Sequence, residues 1–190
     1  MPTALRRTLF CPALLLALGT AACQPDSTEA ALRGVGTRPM AGPIDALTAE
    51  QFVERAASSG MLEVQSAQLA LDRQLAEPVR SLAQQMLADH RTANEQLARV
   101  AANANLQLPA TLAAEHDQQL ERLRELQGDA FTTRYLELLH EGHVASIDLF
   151  ERAAAELREH RVGGFAADTL PTLRHHLEMV RERQQSRSGR

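Results

Sequence analysis

The sequence predicts an all-α fold, an up-down bundle of four long helices with a shorter fifth helix as its crossover. Three observations carry that prediction. Ala, Leu, Arg, Gln and Glu dominate the chain, and all are strong helix formers. Apolar residues recur at three- and four-residue spacing along the long segments, the signature of amphipathic helices. No window alternates with period two in Val, Ile and Thr, so a sheet has no support. Hydrophobic residues make up 44% of the chain but aromatics only 3%, so the core must be built from Leu, Ala, Val and Ile.

The first element is an export address. Residues 1–22 combine a basic Arg6-Arg7 region with the apolar run Leu9 to Leu18 and then Thr20-Ala21-Ala22, a cleavable signal peptide too short to span a bilayer. The Ala-Ala-Cys ending is similar to a bacterial lipobox and makes Cys23 a candidate lipidation site, with simple cleavage as the alternative because Thr20 stands where that pattern usually has Leu. Gln24, rather than Asp, follows Cys23, which by the usual sorting convention directs a lipoprotein to the outer membrane. The expected location is the cell envelope, in the periplasm or on the outer membrane. The membrane would then be a partner through lipidated Cys23. Cys11 lies in the signal and Cys23 at its end, so the domain beyond has no thiol for a disulfide, nucleophile or thiolate ligand. Residues 23–47, rich in Pro, Gly, Ser and Thr, read as a flexible linker, and residues 48–185 as the bundle domain.

Within that domain the first helix is expected from Thr48, its N-cap with Gln51 in the capping-box position, to about Leu75. Pro78 opens the second, to about Asn105, with Val79, Leu82, Met86, His90, Ala93, Leu97 and Val100 facing inward. Pro109 is expected to start the short third helix, through about Gln127, and Gly128-Asp129 to break it. The fourth runs from about Ala130 with Leu136, Leu139, His143, Ile147 and Phe150 in register. The fifth carries Leu170, Leu173, His176 and Val180; it starts either near His160, with a bend at Pro171, or at Asp168, and its tail RERQQSRSGR is expected to fray. Short loops make antiparallel hairpins, and a crossover helix between two of them gives the ferritin-like arrangement.

The inward stripes carry ionisable residues. Glu63 lies on the face of the first helix marked by Ala56, Gly60, Ala67 and Ala70, while His90, His143 and His176 replace core residues on the second, fourth and fifth. Counting from the turn near Ala76 puts Glu63 and His90 at one level. His143 and His176 share a level if the chain reverses near Glu159-His160, and are offset by about 10 Å if it reverses at Gly163-Gly164. A buried acid among imidazoles is costly unless paired or metal-bound. The candidate metal ligands are therefore Glu63, His90, His143 and His176, with Asp89 and His140 behind them, for a transition metal such as Zn, Cu or Fe. The competing reading is a metal-free polar network that fixes helix register in a structural or interaction module tethered to the membrane. Position 87 and position 173 are Leu, so the paired Glu-x-x-His motifs of a di-iron oxidase are missing, and no nucleophilic triad is apparent. No enzyme activity and no catalytic residue is expected. The formal charge of −4 becomes −6 without Arg6 and Arg7, and an acidic chain without a basic face is a poor partner for nucleic acid.

The runs QFVERAASSGMLEVQSAQLAL, VRSLAQQMLADHRTANEQLARVA, FTTRYLELLHEGHVASIDLFERAA and TLPTLRHHL resemble the domain of unknown function 4142 family over about residues 48–182. The resemblance implies an exported protein, often described as a predicted outer membrane protein, with a ferritin-like bundle. It implies characteristic polar positions at Glu63, Asp89, His90, His143 and His176. The chain departs from the pattern at Gly142, where the family usually places Asp, and the family's biochemical role is not established.

Overall fold

The computed structural model describes residues 46–189; the export signal, Cys23 and the linker through residue 45 lie outside them. Among the described residues five helices form and no strand: α1 Ala49–Leu71, α2 Glu77–Asn103, α3 Ala114–Arg124, α4 Gly128–Glu156 and α5 Arg161–Ser188. Each boundary has a local cause. Thr48 caps α1 through a complete capping box with Gln51, satisfying two otherwise orphaned amides. Past α2, Asn105 takes a left-handed φ of 57°, and the amides of Asn105 and Leu106 return to the Ala102 and Ala101 carbonyls, closing the helix end.

The third helix starts at Ala114, not at Pro109. Ser58 on α1 is the reason: its Oγ accepts the Ala113 amide at 2.8 Å and meets His116 Nδ1 at 2.7 Å, which fixes where the chain turns helical. His116 thus ties the crossover to α1. Two further differences concern ends. α4 begins at Gly128, whose φ of 57° suits glycine, and the expected break is its first turn. α5 continues to Ser188 because its last turns are held, Gln184 donating to the Leu136 carbonyl and Arg187 to Asp129.

The chain reverses between α4 and α5 at residues 157–160, with His160 capping α5, so Pro171 lies well inside α5. Pro171 has no amide to give the Ala167 carbonyl. Gly163 is needed for that reversal, since a Cβ there would lie 2.1 Å from the Leu157 carbonyl oxygen.

α1 packs on α2 and α4, and α5 packs on α2 and α4, while α3 lies against α1 and α4. Two apolar clusters fix the directions. One joins the start of α1 (Phe52), the end of α2 (Leu97), the end of α4 (Phe150) and the start of α5 (Phe165), with the three phenyl rings 5.1–6.4 Å apart. The other joins the end of α1 (Ala67), the start of α2 (Leu82), α3 (Leu120, Leu123), the start of α4 (Phe131) and the end of α5 (Val180). Neighbouring long helices therefore run antiparallel, and α3 returns the chain along the bundle, the ferritin-like order expected.

Gly163→Ala should lower stability by about 1–3 kcal/mol, because a backbone carbonyl rather than a movable side chain blocks the added methyl. At Gly164, where an added Cβ meets nothing within 4 Å, the same change should be neutral or stabilise by up to about 1 kcal/mol. Thermal melts of the two variants check this.

Candidate metal centre

Between the two apolar clusters lies a polar layer. His90 from α2, His143 from α4 and His176 from α5 are all buried there, as is Glu63 from α1. The three imidazole rings form a nearly equilateral triangle, with centroids 5.3–5.4 Å apart. One nitrogen from each lies within 4.8 Å of the others.

Hydrogen bonds on the outer ring edges fix where the protons sit. His143 Nδ1 is 2.8 Å from the Leu139 carbonyl, which only accepts, so Nδ1 carries the proton and Nε2 is bare. His176 Nε2 is 2.9 Å from the Asp89 carboxylate and donates to it, which leaves Nδ1 of His176 bare. Those two bare nitrogens face one another at 3.3 Å, within hydrogen-bond distance but with no proton to share. His90 Nε2 is also buried, and has no hydrogen-bond partner.

An added proton would relieve the contact, but the site resists it. Burial, followed by His176 and His140, holds His143 down at about 4 despite the opposing Leu139 carbonyl. Burial first, then the charges of His143 and His176, pushes His90 well below its usual value. Burial also lowers His176, against the pull of Asp89. The triad is neutral at pH 7, and the lone pairs of His143 and His176 turn toward each other.

Glu63 does not join the triangle. Its Oε1 is 3.7 Å from His143 Nδ1, on the ring edge opposite the bare nitrogen, and burial pushes its carboxyl up to about 8. Gly142 gives it room, since a Cβ there would lie 2.8 Å from Oε1. The Glu63 side chain thus rests in the space that a side chain at position 142 would take. Asp89, half-exposed, holds His176 and also accepts from Gln85 Nε2 at 2.6 Å. His140 is half-buried and outside the group, although it lies near enough to His143 to act on it electrostatically.

Sequence reasoning passed over Tyr135, the single tyrosine of the chain, whose buried hydroxyl has no partner and is raised by burial and by the charge of Glu63. It sits two helical turns before His143, with Leu139 between, and that spacing was the available signal. The hydrogen-bonded hydroxyls of Ser59 and Ser146, 3.0 Å apart, gave no sequence signal, because they meet only across the α1–α4 interface.

The DUF4142 family pattern, a domain of unknown function, matches residues 36–182. The chain belongs to this family. No curated protein matches it. Among solved structures it is similar to the crystal structure of a DUF305 fragment from Deinococcus radiodurans, at 18% identity, with a TM-score of 0.62 over 72% of this chain and 96% of that one. At that identity the likeness shows a shared helical fold.

The metal-free protein should lose stability as pH rises from 6.5 to 8. Glu63 has a folded-state value raised from 4.5 to about 8, so its contribution is fully present below 4.5 and is lost as pH climbs through the folded value. His143 acts in the opposite sense: its value is depressed from 6.5 to about 4, so its contribution is present above 6.5 and lost toward pH 4. Glu63→Gln should flatten the alkaline limb and steepen the acid one, where Glu63 and His143 oppose each other, as read by denaturant melts from pH 4 to 8.

Proposed function

We propose that this DUF4142 protein is an exported metal-binding bundle that holds one transition-metal ion through His90, His143 and His176, for sequestration, sensing or stress protection in the cell envelope. The observation that carries the reading is the pair of unprotonated nitrogens, His143 Nε2 and His176 Nδ1, facing each other at 3.3 Å. Two lone pairs at that distance repel, whereas a cation between them turns the repulsion into two bonds. With metal–nitrogen bonds of about 2.0–2.1 Å, tetrahedral ligation itself separates neighbouring nitrogens by about 3.3–3.4 Å.

The outer partners support the same reading. Metal-bound imidazoles characteristically donate their second N–H to a carboxylate or a backbone carbonyl, which fixes tautomer and ring orientation. Asp89 does this for His176 and the Leu139 carbonyl for His143. An all-imidazole set without thiolate suits Zn, Cu, Ni or Fe. Glu63 and Asp89 supply nearby negative charge once a dication is bound. The envelope location rests on the basic, apolar and small-residue regions of residues 1–22 and on Cys23.

Titrated with Zn(II) or Cu(II), the protein should bind one ion per chain and gain about 2.7 kcal/mol of stability at a hundredfold excess over its Kd. His143→Ala should lose both effects. His90→Leu should melt at or above the metal-free wild type, since an apolar group replaces a buried imidazole without a partner, and should lose most of the metal-dependent gain. Less than about a tenth of an equivalent bound by the wild type, with no thermal shift, overturns the proposal and leaves a register-fixing polar layer in a membrane-tethered module.

Lipid attachment is checked separately. Labelled palmitate should enter the wild-type chain in a bacterial host and not Cys23→Ser; equal labelling of both would exclude that anchor.

A further inference from the structure

Nitrogen-bound zinc and copper ions commonly take four ligands. Closed structural sites supply all of them from the protein, whereas sites with three protein ligands keep one position for an exchangeable molecule. Among the described residues, no fourth His, Cys, Asp or Glu joins the three imidazoles. The two nearest acids are turned away from that role: Glu63 lies at the outer edge of His143 and Asp89 is bound to the outer nitrogen of His176.

Of the three imidazoles, His90 lines a partly open cavity of about 20 Å³ whose wall also includes Ser59, Gly60, Asn94 and Ser146. That volume holds one water-sized molecule and no more. The two serine hydroxyls are 3.0 Å apart, and each can both donate and accept, so together with the Asn94 amide they offer hydrogen bonds to a small polar guest. Gly60 leaves room for the Asn94 amide in this lining, since an added Cβ would displace that side chain. The cavity adjoins a larger groove. Ala93, Phe165 and Thr169 line both it and an open groove of about 740 Å³ between α2 and α5, in whose wall Asp89 stands.

Resting on the metal reading above, we infer that the ion keeps its fourth coordination position for an exchangeable water or hydroxide, lodged in this cavity against Ser59, Asn94 and Ser146 and exchanged through the α2–α5 groove. The centre is then an open site able to present a bound oxygen ligand, rather than a closed structural one. Ser59 and Ser146 are positioning residues in this scheme, and neither touches the ion.

The test loads the protein with Cu(II), which nitrogen sites bind more tightly than the other first-row divalent ions. Its electron paramagnetic resonance is then recorded in ¹⁶O- and ¹⁷O-labelled water. Line broadening by ¹⁷O is expected in the wild type. Ser146→Val, which fills the cavity, should keep Cu(II) affinity within about threefold yet lose the broadening, as expected if one water and its hydrogen bond are removed without touching a ligand. Cu(II) bound with no ¹⁷O broadening in the wild type overturns the open position, because the fourth ligand is then protein. Failure to bind Cu(II) at all overturns the metal reading instead. Because the wild-type measurement decides the question alone, it stands even if Ser146→Val does not fold.

Discussion

Two imidazole nitrogens that face each other with no proton between them set the terms for this molecule. His143 and His176 reach that position because their outer nitrogens are committed to the Leu139 carbonyl and to Asp89. Their inner nitrogens are left as lone pairs in an environment that burial makes hostile to imidazolium. His90 adds a third unpartnered nitrogen to the same layer. A bundle that only needed to stay folded would gain by filling this layer with leucine, since buried polar groups without partners are expensive. A cation at the centre, as proposed, would offset that cost.

The rest of the fold holds that layer level. The apolar clusters above and below it are built from opposite ends of all four long helices, so each helix is clamped on both sides of its inward polar residue. The crossover contributes through Ser58 and His116, which tie the start of α3 to α1 one to two turns from Glu63. The α4–α5 reversal contributes through Gly163, whose missing side chain lets α5 start close against the end of α4. That close turn brings His143 and His176 to one level.

Much of this was legible in the sequence. The all-helical class, the hairpin order and the inward stripes on α1, α2 and α5 follow from apolar spacing, and the buried residues of α5, Leu170, Leu173, His176 and Val180, are the ones that spacing selects. The capping box at Thr48 and Gln51 could be read directly because it depends on residues three apart. Less legible were the features that depend on another helix. The start of α3 was displaced from Pro109 to Ala114 by a hydroxyl on α1, and the end of α5 was extended by contacts with α4. Ala93 and Val100, both on the apolar stripe of α2, are only half-buried because they border the α2–α5 groove.

The sequence by itself determined which side chains point inward, because helical periodicity is a local property of the backbone. It therefore selected His90, His143, His176 and Glu63 as one set of buried ionisable groups. Only the tertiary structure decided which of them converge. Whether a carboxylate lies beside the inner or the outer nitrogen of an imidazole is a matter of a small displacement and of which ring edge faces which helix. Those quantities are set by helix rotation, by the tight turn at Gly163 and by the room that Gly142 leaves for Glu63. No spacing along one helix encodes them.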